Sequence, residues 1–222
     1  MRYTPVILFS VSLMAACTVT PTPASSIPTG ALQISSPVPA SPTLAVIPSL
    51  ASSATPAPTA DLFTQMAIAF PTPACTSLTQ SQTEGPYYKP DTPERNSLFE
   101  EGMPGMRLVL IGYVLDENCQ PLPNAWLDFW QADADGEYDN AGYRLRGHQY
   151  TDTQGRYYLE TILPGLYASR PIEHIHVKLR PEGGQEITSQ LYFPQQPVDG
   201  LTVTLEDRGG YRLGYFSFVV QR

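Results

Sequence analysis

Residues 156–184, RYYLETILPGLYASRPIEHIHVKLRPEGG, decide how the fold is read. They hold two short runs of strand-favouring composition, Arg156–Ile162 and His174–Arg180. Turn residues bracket both: Gly155 before the first, Pro164-Gly165 after it, and Pro181 to Gly184 after the second. The same cadence extends in both directions. Arg107–Leu115, Ala125–Trp130, Glu186–Phe193, Leu201–Leu205 and Tyr215–Gln221 are further strand candidates, punctuated by Asn118–Asn124, Asp152–Gly155 and Gly209-Gly210. No long segment of helical period interrupts them. Many short strands with a turn every dozen residues or so predict an all-β domain over residues 75–222, an antiparallel sandwich or barrel.

The residues before it differ in kind. Residues 1–17 read as an export signal, with Arg2 as the positive start and Val6–Met14 as an apolar run too short to span a bilayer. Ala15-Ala16-Cys17 follows as in a bacterial lipobox, in which the cysteine is acylated; the alternative is an ordinary cleaved signal. Residues 18–74 are rich in Pro, Ser, Thr and Ala, with no charged residue from Thr18 to Ala60, and predict a disordered, extended spacer. The expected location is therefore the cell envelope, with the membrane touched only through lipid on Cys17, or the medium if Cys17 is not acylated. Disulfides persist outside the reducing cytosol, and Cys75 and Cys119 are left as an even pair. A bridge would tie the start of the domain to the turn at Asp116–Pro123. The formal net charge of -8 resides in the folded part and disfavours nucleic acid as a partner, since no basic face is available to displace counterions.

Within the second run, His174-Ile175-His176 puts two imidazoles on one face of a strand, roughly 6 to 7 Å apart at Cα, and turns Ile175 toward the core. Such a pair also occurs in cupins, in zinc sites and on surfaces with no role. Thirteen tyrosines accompany it. A phenol ionises near pH 10 in water, so tyrosinate at neutral pH needs a strong local cation. Iron(III), hard and highly charged, suits phenolate oxygen together with imidazole nitrogen.

Five ordered segments resemble the intradiol ring-cleavage dioxygenases. They are Thr83-Glu84-Gly85-Pro86-Tyr87-Tyr88; Asp116 to Ala125 leading into Trp130-Gln131-Ala132-Asp133 and Gly136-Glu137-Tyr138; Arg146-Gly147 through Thr151-Asp152 to Gly155-Arg156-Tyr157; Thr161 to Tyr167; and Arg170-Pro171 with His174-Ile175-His176, then Ser189 to Phe193. The resemblance implies an antiparallel β-sandwich of that family's core type. It implies a non-haem iron(III) ion held by Tyr138, Tyr167, His174 and His176, with Tyr167 the ligand that a catechol displaces. It further implies that Gln190 is a polar residue beside the site, that Thr83 and Pro86 line the substrate pocket, and that Arg170 stabilises negative charge on the bound ring. The implied reaction uses O2 to open catechol-type diols between the two hydroxylated carbons, giving muconate-type diacids. The placement of Cys75 and Cys119 is similar to that in the exported branch of the family, which lacks the helical dimerisation region of the intracellular enzymes. Oligomeric state and the particular diol are left open.

One departure from the pattern stands out. The family reads Arg-Pro-x-His-Ile-His, whereas Arg170-Pro171-Ile172-Glu173-His174 places the arginine one residue further away. A bulge in a loop would absorb the insertion; otherwise Arg144 or Arg146 becomes the candidate ring-facing cation. His148 is read as a loop residue, and Trp126 and Trp130 as core. Two other functions compete: a non-catalytic transthyretin-like or carbohydrate-binding sandwich on the envelope, and a cupin-type metal enzyme needing a further carboxylate and histidine.

Overall fold

The computed structural model describes residues 69–73, 75, 77–167 and 170–222. The signal, Cys17 and nearly all of the spacer lie outside the described residues. Nine strands follow in order: β1 (Arg107–Asp116), β2 (Trp126–Trp130), β3 (Arg146–Tyr150), β4 (Arg156–Ile162), β5 (His174–Arg180), β6 (Ile187–Tyr192), β7 (Thr204–Asp207), β8 (Arg212–Tyr215) and β9 (Phe218–Val220). Among the described residues there is no helix. One sheet has the order β4-β1-β8-β7, with β9 also on β1; the other has the order β3-β2-β5-β6.

The two inner faces make the core by simple alternation. Leu108 and Leu110 of β1 and Tyr157 and Leu159 of β4 meet Leu127 and Phe129 of β2 and Ile175, Val177 and Leu179 of β5. β1 is apolar on both faces because its outer side is covered too: Val109 and Ile111 pack with Tyr158 and Leu213 beneath Phe70, Tyr211 and Tyr215. Phe70 also meets the Tyr113 ring at 5.7 Å, and the Tyr113 hydroxyl donates to the Pro71 carbonyl, so contacts with the sandwich begin before Cys75.

Four strand expectations are corrected. The sheets are not purely antiparallel, because β1 pairs in parallel with β8 and with β9. The run Tyr215–Gln221 is interrupted at Phe216-Ser217, where the Phe216 backbone crosses Gly112 so closely that a Cβ there would lie 1.6 Å from the Phe216 carbonyl oxygen. Leu201–Leu205 divides between the sheets: Leu201 and Val203 exchange backbone hydrogen bonds with Tyr192, and only from Thr204 does the chain pair with β8. His148 is on a strand, β3, rather than in a loop. That strand, RGHQY, points Gly147 and Gln149 inward and so carries no apolar signal. It is held by β2 on one side and on the other by Arg95 N donating to the His148 carbonyl and His148 N to that of Pro93.

Cys75 and Cys119 form the expected disulfide, spanning 44 residues, with Cys119 in the left-handed backbone region of the turn after β1. Closing a loop of that length is expected to stabilise by about 2 to 4 kcal/mol, mainly by restricting the unfolded chain. Urea unfolding of the Cys75→Ala/Cys119→Ala protein checks this; a midpoint equal to that of the oxidised parent would contradict it.

Candidate metal centre

The outer face of the second sheet carries the polar residues of alternation: Trp130 on β2, His174 and His176 on β5, Gln190 and Tyr192 on β6, and Arg146 on β3. Register brings them side by side, since His176 pairs with both Trp130 and Gln190, Trp130 with Arg146, and His174 with Tyr192. This face would be wet but for the segment before β1. Gln82 N donates to the Thr188 carbonyl, the Thr92 hydroxyl to Asp128, and the Arg146 guanidinium to the Tyr87 carbonyl at 2.6 Å, so residues 82–95 lie across it as a strap.

Two loops supply the phenols. Tyr138 follows Gly136, which has φ +83°, and Tyr167 follows Gly165. The loops interlock at these glycines: a Cβ on Gly136 would lie 2.2 Å from the Leu166 carbonyl oxygen, and one on Gly165 would lie 2.3 Å from that of Ala134. Both amides donate to the Asp133 carbonyl. No larger residue allows the approach that sets the Tyr138 and Tyr167 rings 5.8 Å apart, edge to face.

Donor atoms converge between the loops and β5. The Nε2 atoms of His174 and His176 are 3.1 Å apart, and the Tyr138 hydroxyl is 3.5 Å from His174 Nε2. The Tyr167 ring is 5.9 Å from that of His174. His174 Nδ1 faces the Ile172 carbonyl at 2.7 Å and must carry the proton there, leaving its Nε2 as a bare lone pair toward His176. Burial holds both rings neutral: His174 is lowered to about 4, the Ile172 carbonyl opposing and the Arg170 charge adding to the shift, and His176 to about 2 by burial, then His174, Arg170 and Arg146. Burial also pushes the Tyr138 phenol up, helped by Tyr167 and opposed by Arg170 and Arg146. Without a further cation this phenol does not ionise at neutral pH.

These residues fit a hard, highly charged cation. Two neutral imidazoles aim nitrogen at one point, a buried phenol stands beside them, and the second phenol is half-buried on a loop. Among the described residues no group of three His, Cys, Asp or Glu side chains is placed to hold an ion, so the carboxylate and third histidine of a cupin-type set are not assembled. His148 instead makes its Nδ1 contact with the Thr92 carbonyl.

The sequence profile described as "Dioxygenase" matches residues 83–202, a span containing all four candidate donors and all of the strap but Gln82. The chain belongs to the intradiol dioxygenase family. Among solved structures, the chain is similar to the dioxygenase domain of a dioxygenase carbohydrate-binding protein fusion from Streptomyces sp. SirexAA-E, at 44% identity and a TM-score of 0.63, covering 65% of this chain and 99% of that one. It is also similar to 3-chlorocatechol 1,2-dioxygenase from Rhodococcus opacus 1CP, at 28% identity and a TM-score of 0.59, covering 64% and 71%. Over 112 residues it is 36% identical to the protocatechuate 3,4-dioxygenase beta chain of Burkholderia cepacia, covering 42% of this chain and 47% of that one. The chain spans about half the length of the first curated relatives it matches.

Other sequence-expected residues fall around this point. Gln190 is fully buried and donates through Nε2 to the Thr83 carbonyl at 2.6 Å. Pro86 is exposed, between Gly85, whose Cβ position is 3.6 Å from the His176 ring, and Tyr87, whose ring stacks on that of Tyr138 at 4.4 Å. Arg170 donates to the Tyr192 hydroxyl at 2.9 Å. Arg144 is turned away to Asp133.

Three neighbours are not what their sequence positions suggest. Trp130 is core by burial but also stacks flat on His176, with centroids 4.7 Å apart and planes 8° apart, and so fixes the plane of that imidazole. Trp126 is only half-buried, beneath the Arg180 guanidinium, rather than core. Arg146 is completely buried and lies against the Tyr138 ring. An arginine on the outer face of a sheet ordinarily reads as solvated, and only the strap makes it otherwise.

The histidines set an expected pH dependence for the metal-free protein. Their folded pKa values lie below the ordinary 6.5, so the unfolded chain binds protons first, and stability is lost as pH falls from about 6.5 through about 4 for His174 and on toward about 2 for His176. Asp128 and Glu173, whose carboxyls burial pushes up, act in the opposite sense, so the informative quantity is a difference. The urea midpoint of the parent is expected to drop more between about pH 7.5 and about pH 5 than that of His176→Asn. Equal drops would contradict the assignment.

Proposed function

We propose that this domain is a non-haem iron(III) dioxygenase that opens catechol-type diols between the two hydroxylated carbons, using O2 and releasing muconate-type diacids. The observation that carries the reading is the convergence of the His174 and His176 Nε2 atoms, 3.1 Å apart, beside the Tyr138 phenol within a segment matched by the dioxygenase family. His174, His176, Tyr138 and Tyr167 would hold the metal, which when bound supplies a hard Lewis-acidic centre that takes both diol oxygens and activates the ring toward oxygen.

The side chains divide the remaining work. Tyr138, buried and stacked on Tyr87, stays in place, while Tyr167, half-buried on its loop, is the phenol free to swing away. Its oxygen is then the acceptor for one diol proton. Arg170 opposes negative charge developing on the ring, and Gln190 with the Thr83 carbonyl fixes the polar wall opposite Trp130. The strap excludes bulk water from the imidazoles.

Relatives named for protocatechuate, catechol and chlorocatechol support a single-ring diol as substrate. An exported, lipid-anchored location is proposed with this, resting on residues 1–17 and supported by the Cys75–Cys119 bridge, which an oxidising compartment sustains. Oxygen uptake by iron-loaded protein against catechol, protocatechuate, hydroxyquinol and chlorocatechols, with products identified, tests the activity. Red to burgundy protein and a muconate-type product are expected. A colourless preparation that takes up no iron and no oxygen would favour the non-catalytic binding sandwich.

A further inference from the structure

Arg170 lies outside every strand, so no pleat fixes where its side chain points. Its backbone is placed by two hydrogen bonds: Arg170 N donates to the Tyr167 carbonyl at 2.9 Å, and Ile172 N to the Arg170 carbonyl at 2.8 Å. Pro171, Ile172 and Glu173 then intervene before β5 begins at His174. A long guanidinium side chain on such a loop has rotamer entropy working against a single orientation. Something outside the loop must hold it.

The partner is Tyr192, at the end of β6 directly across from His174, with its ring 6.2 Å from the imidazole. The Thr83 carbonyl can only accept, so the Gln190 NH2 faces it at 2.6 Å, which turns Gln190 Oε1 toward Tyr192. That oxygen can only accept, so the Tyr192 hydroxyl donates to it at 2.9 Å. The remaining lone pair of Tyr192 is left for Arg170 Nη2, also at 2.9 Å. Every donor in this chain has one possible direction, and both interior members are buried. The Arg170 charge is correspondingly felt at His174, His176 and Tyr138.

We propose that Tyr192 is a positioning residue for Arg170: its hydroxyl, oriented by Gln190 and the Thr83 carbonyl, aims the guanidinium at the diol-binding side of the site and so cancels the effect of the extra residue before His174. The role in turnover rests on the ring-cleavage reading; the tether itself does not.

Two measurements on the full-length, iron-loaded protein separate these. With catechol as the probe, Tyr192→Phe is expected to lower kcat about tenfold with KM within about twofold, and to keep iron and the visible band. Because Tyr192 acts through Arg170, the Tyr192→Phe/Arg170→Ala protein should match Arg170→Ala within about twofold. A further tenfold loss in the double variant would overturn the proposal. In metal-free, 15N-arginine-labelled protein, the Arg170 side-chain signals, identified by their loss in Arg170→Ala, should show slowed proton exchange in the parent and fast exchange in Tyr192→Phe. Unchanged Arg170 signals in Tyr192→Phe would also overturn it. A parent that turns over none of catechol, protocatechuate, hydroxyquinol and the chlorocatechols yet shows the exchange difference would sink the ring-cleavage reading and leave the tether standing.

Discussion

Replacing His176 with alanine is expected to abolish iron retention and the visible colour together. The side chain is 2% exposed, its Nε2 lies 3.1 Å from that of His174, and Trp130 fixes its ring plane, so no other donor can move into its place without dismantling the stack. Losing residues that merely support a metal ligand typically costs 10- to 100-fold in affinity, and loss of a ligand from a four-donor set should exceed about 100-fold. His174→Ala should behave alike, because the Ile172 carbonyl that orients its ring has no second imidazole to orient. Tyr167→Phe should weaken or shift the band and leave residual iron, in keeping with a half-buried phenol on a loop. Iron content and the visible spectrum of purified protein decide the matter. Unchanged colour and iron in Tyr138→Phe would show that a different phenol, with Tyr87 the nearest by stacking, holds the metal.

The parts of this site legible in the sequence are those governed by strand alternation. His174-Ile175-His176 had to put two imidazoles on one face and Ile175 in the core, and β5 does so. The runs that became β1, β4 and β5 announced themselves because their inner faces are mostly aliphatic or aromatic. β3 was illegible for the converse reason: Gly147 and Gln149 face inward, and the strand is stabilised by the strap and by β2 rather than by burial of its own apolar surface. The strap itself has no period to read, yet it converts the outer face of the second sheet into a closed one. Arg146 and Asp128, which composition alone would assign to solvent, are therefore buried. Tyr138 and Tyr167 could be chosen among thirteen tyrosines only through the family resemblance, since their proximity comes from two glycines, Gly136 and Gly165, packing backbone on backbone between loops 29 residues apart in sequence. Close approach of this kind leaves only glycine in a turn as its trace, which many turns share.

Arg170→Ala is expected to keep the iron and its colour, bind catechol nearly normally, and lose about 100-fold in turnover, equivalent to about 2.7 kcal/mol of barrier. The metal donors do not include Arg170, so their convergence should survive its loss; what disappears is a fixed positive charge placed where negative charge grows on the ring. Its location against the site is set by its hydrogen bonds to the Tyr167 carbonyl and the Tyr192 hydroxyl, and the two-residue excursion through Ile172 and Glu173 absorbs the insertion before β5. The two other cations once in contention are committed elsewhere. Arg144 is paired with Asp133, and Arg146 is held by the Tyr87 and Asp139 carbonyls against the Tyr138 ring, where it can act on the phenol but is pinned by its own hydrogen bonds. Steady-state oxygen uptake, with catechol affinity taken from the shift of the visible band on titration, separates binding from turnover. Turnover unchanged in Arg170→Ala would mean that the guanidinium, although tethered to Tyr192, does not face the reacting carbon, and Arg146→Lys would then be the variant in which to look for the loss.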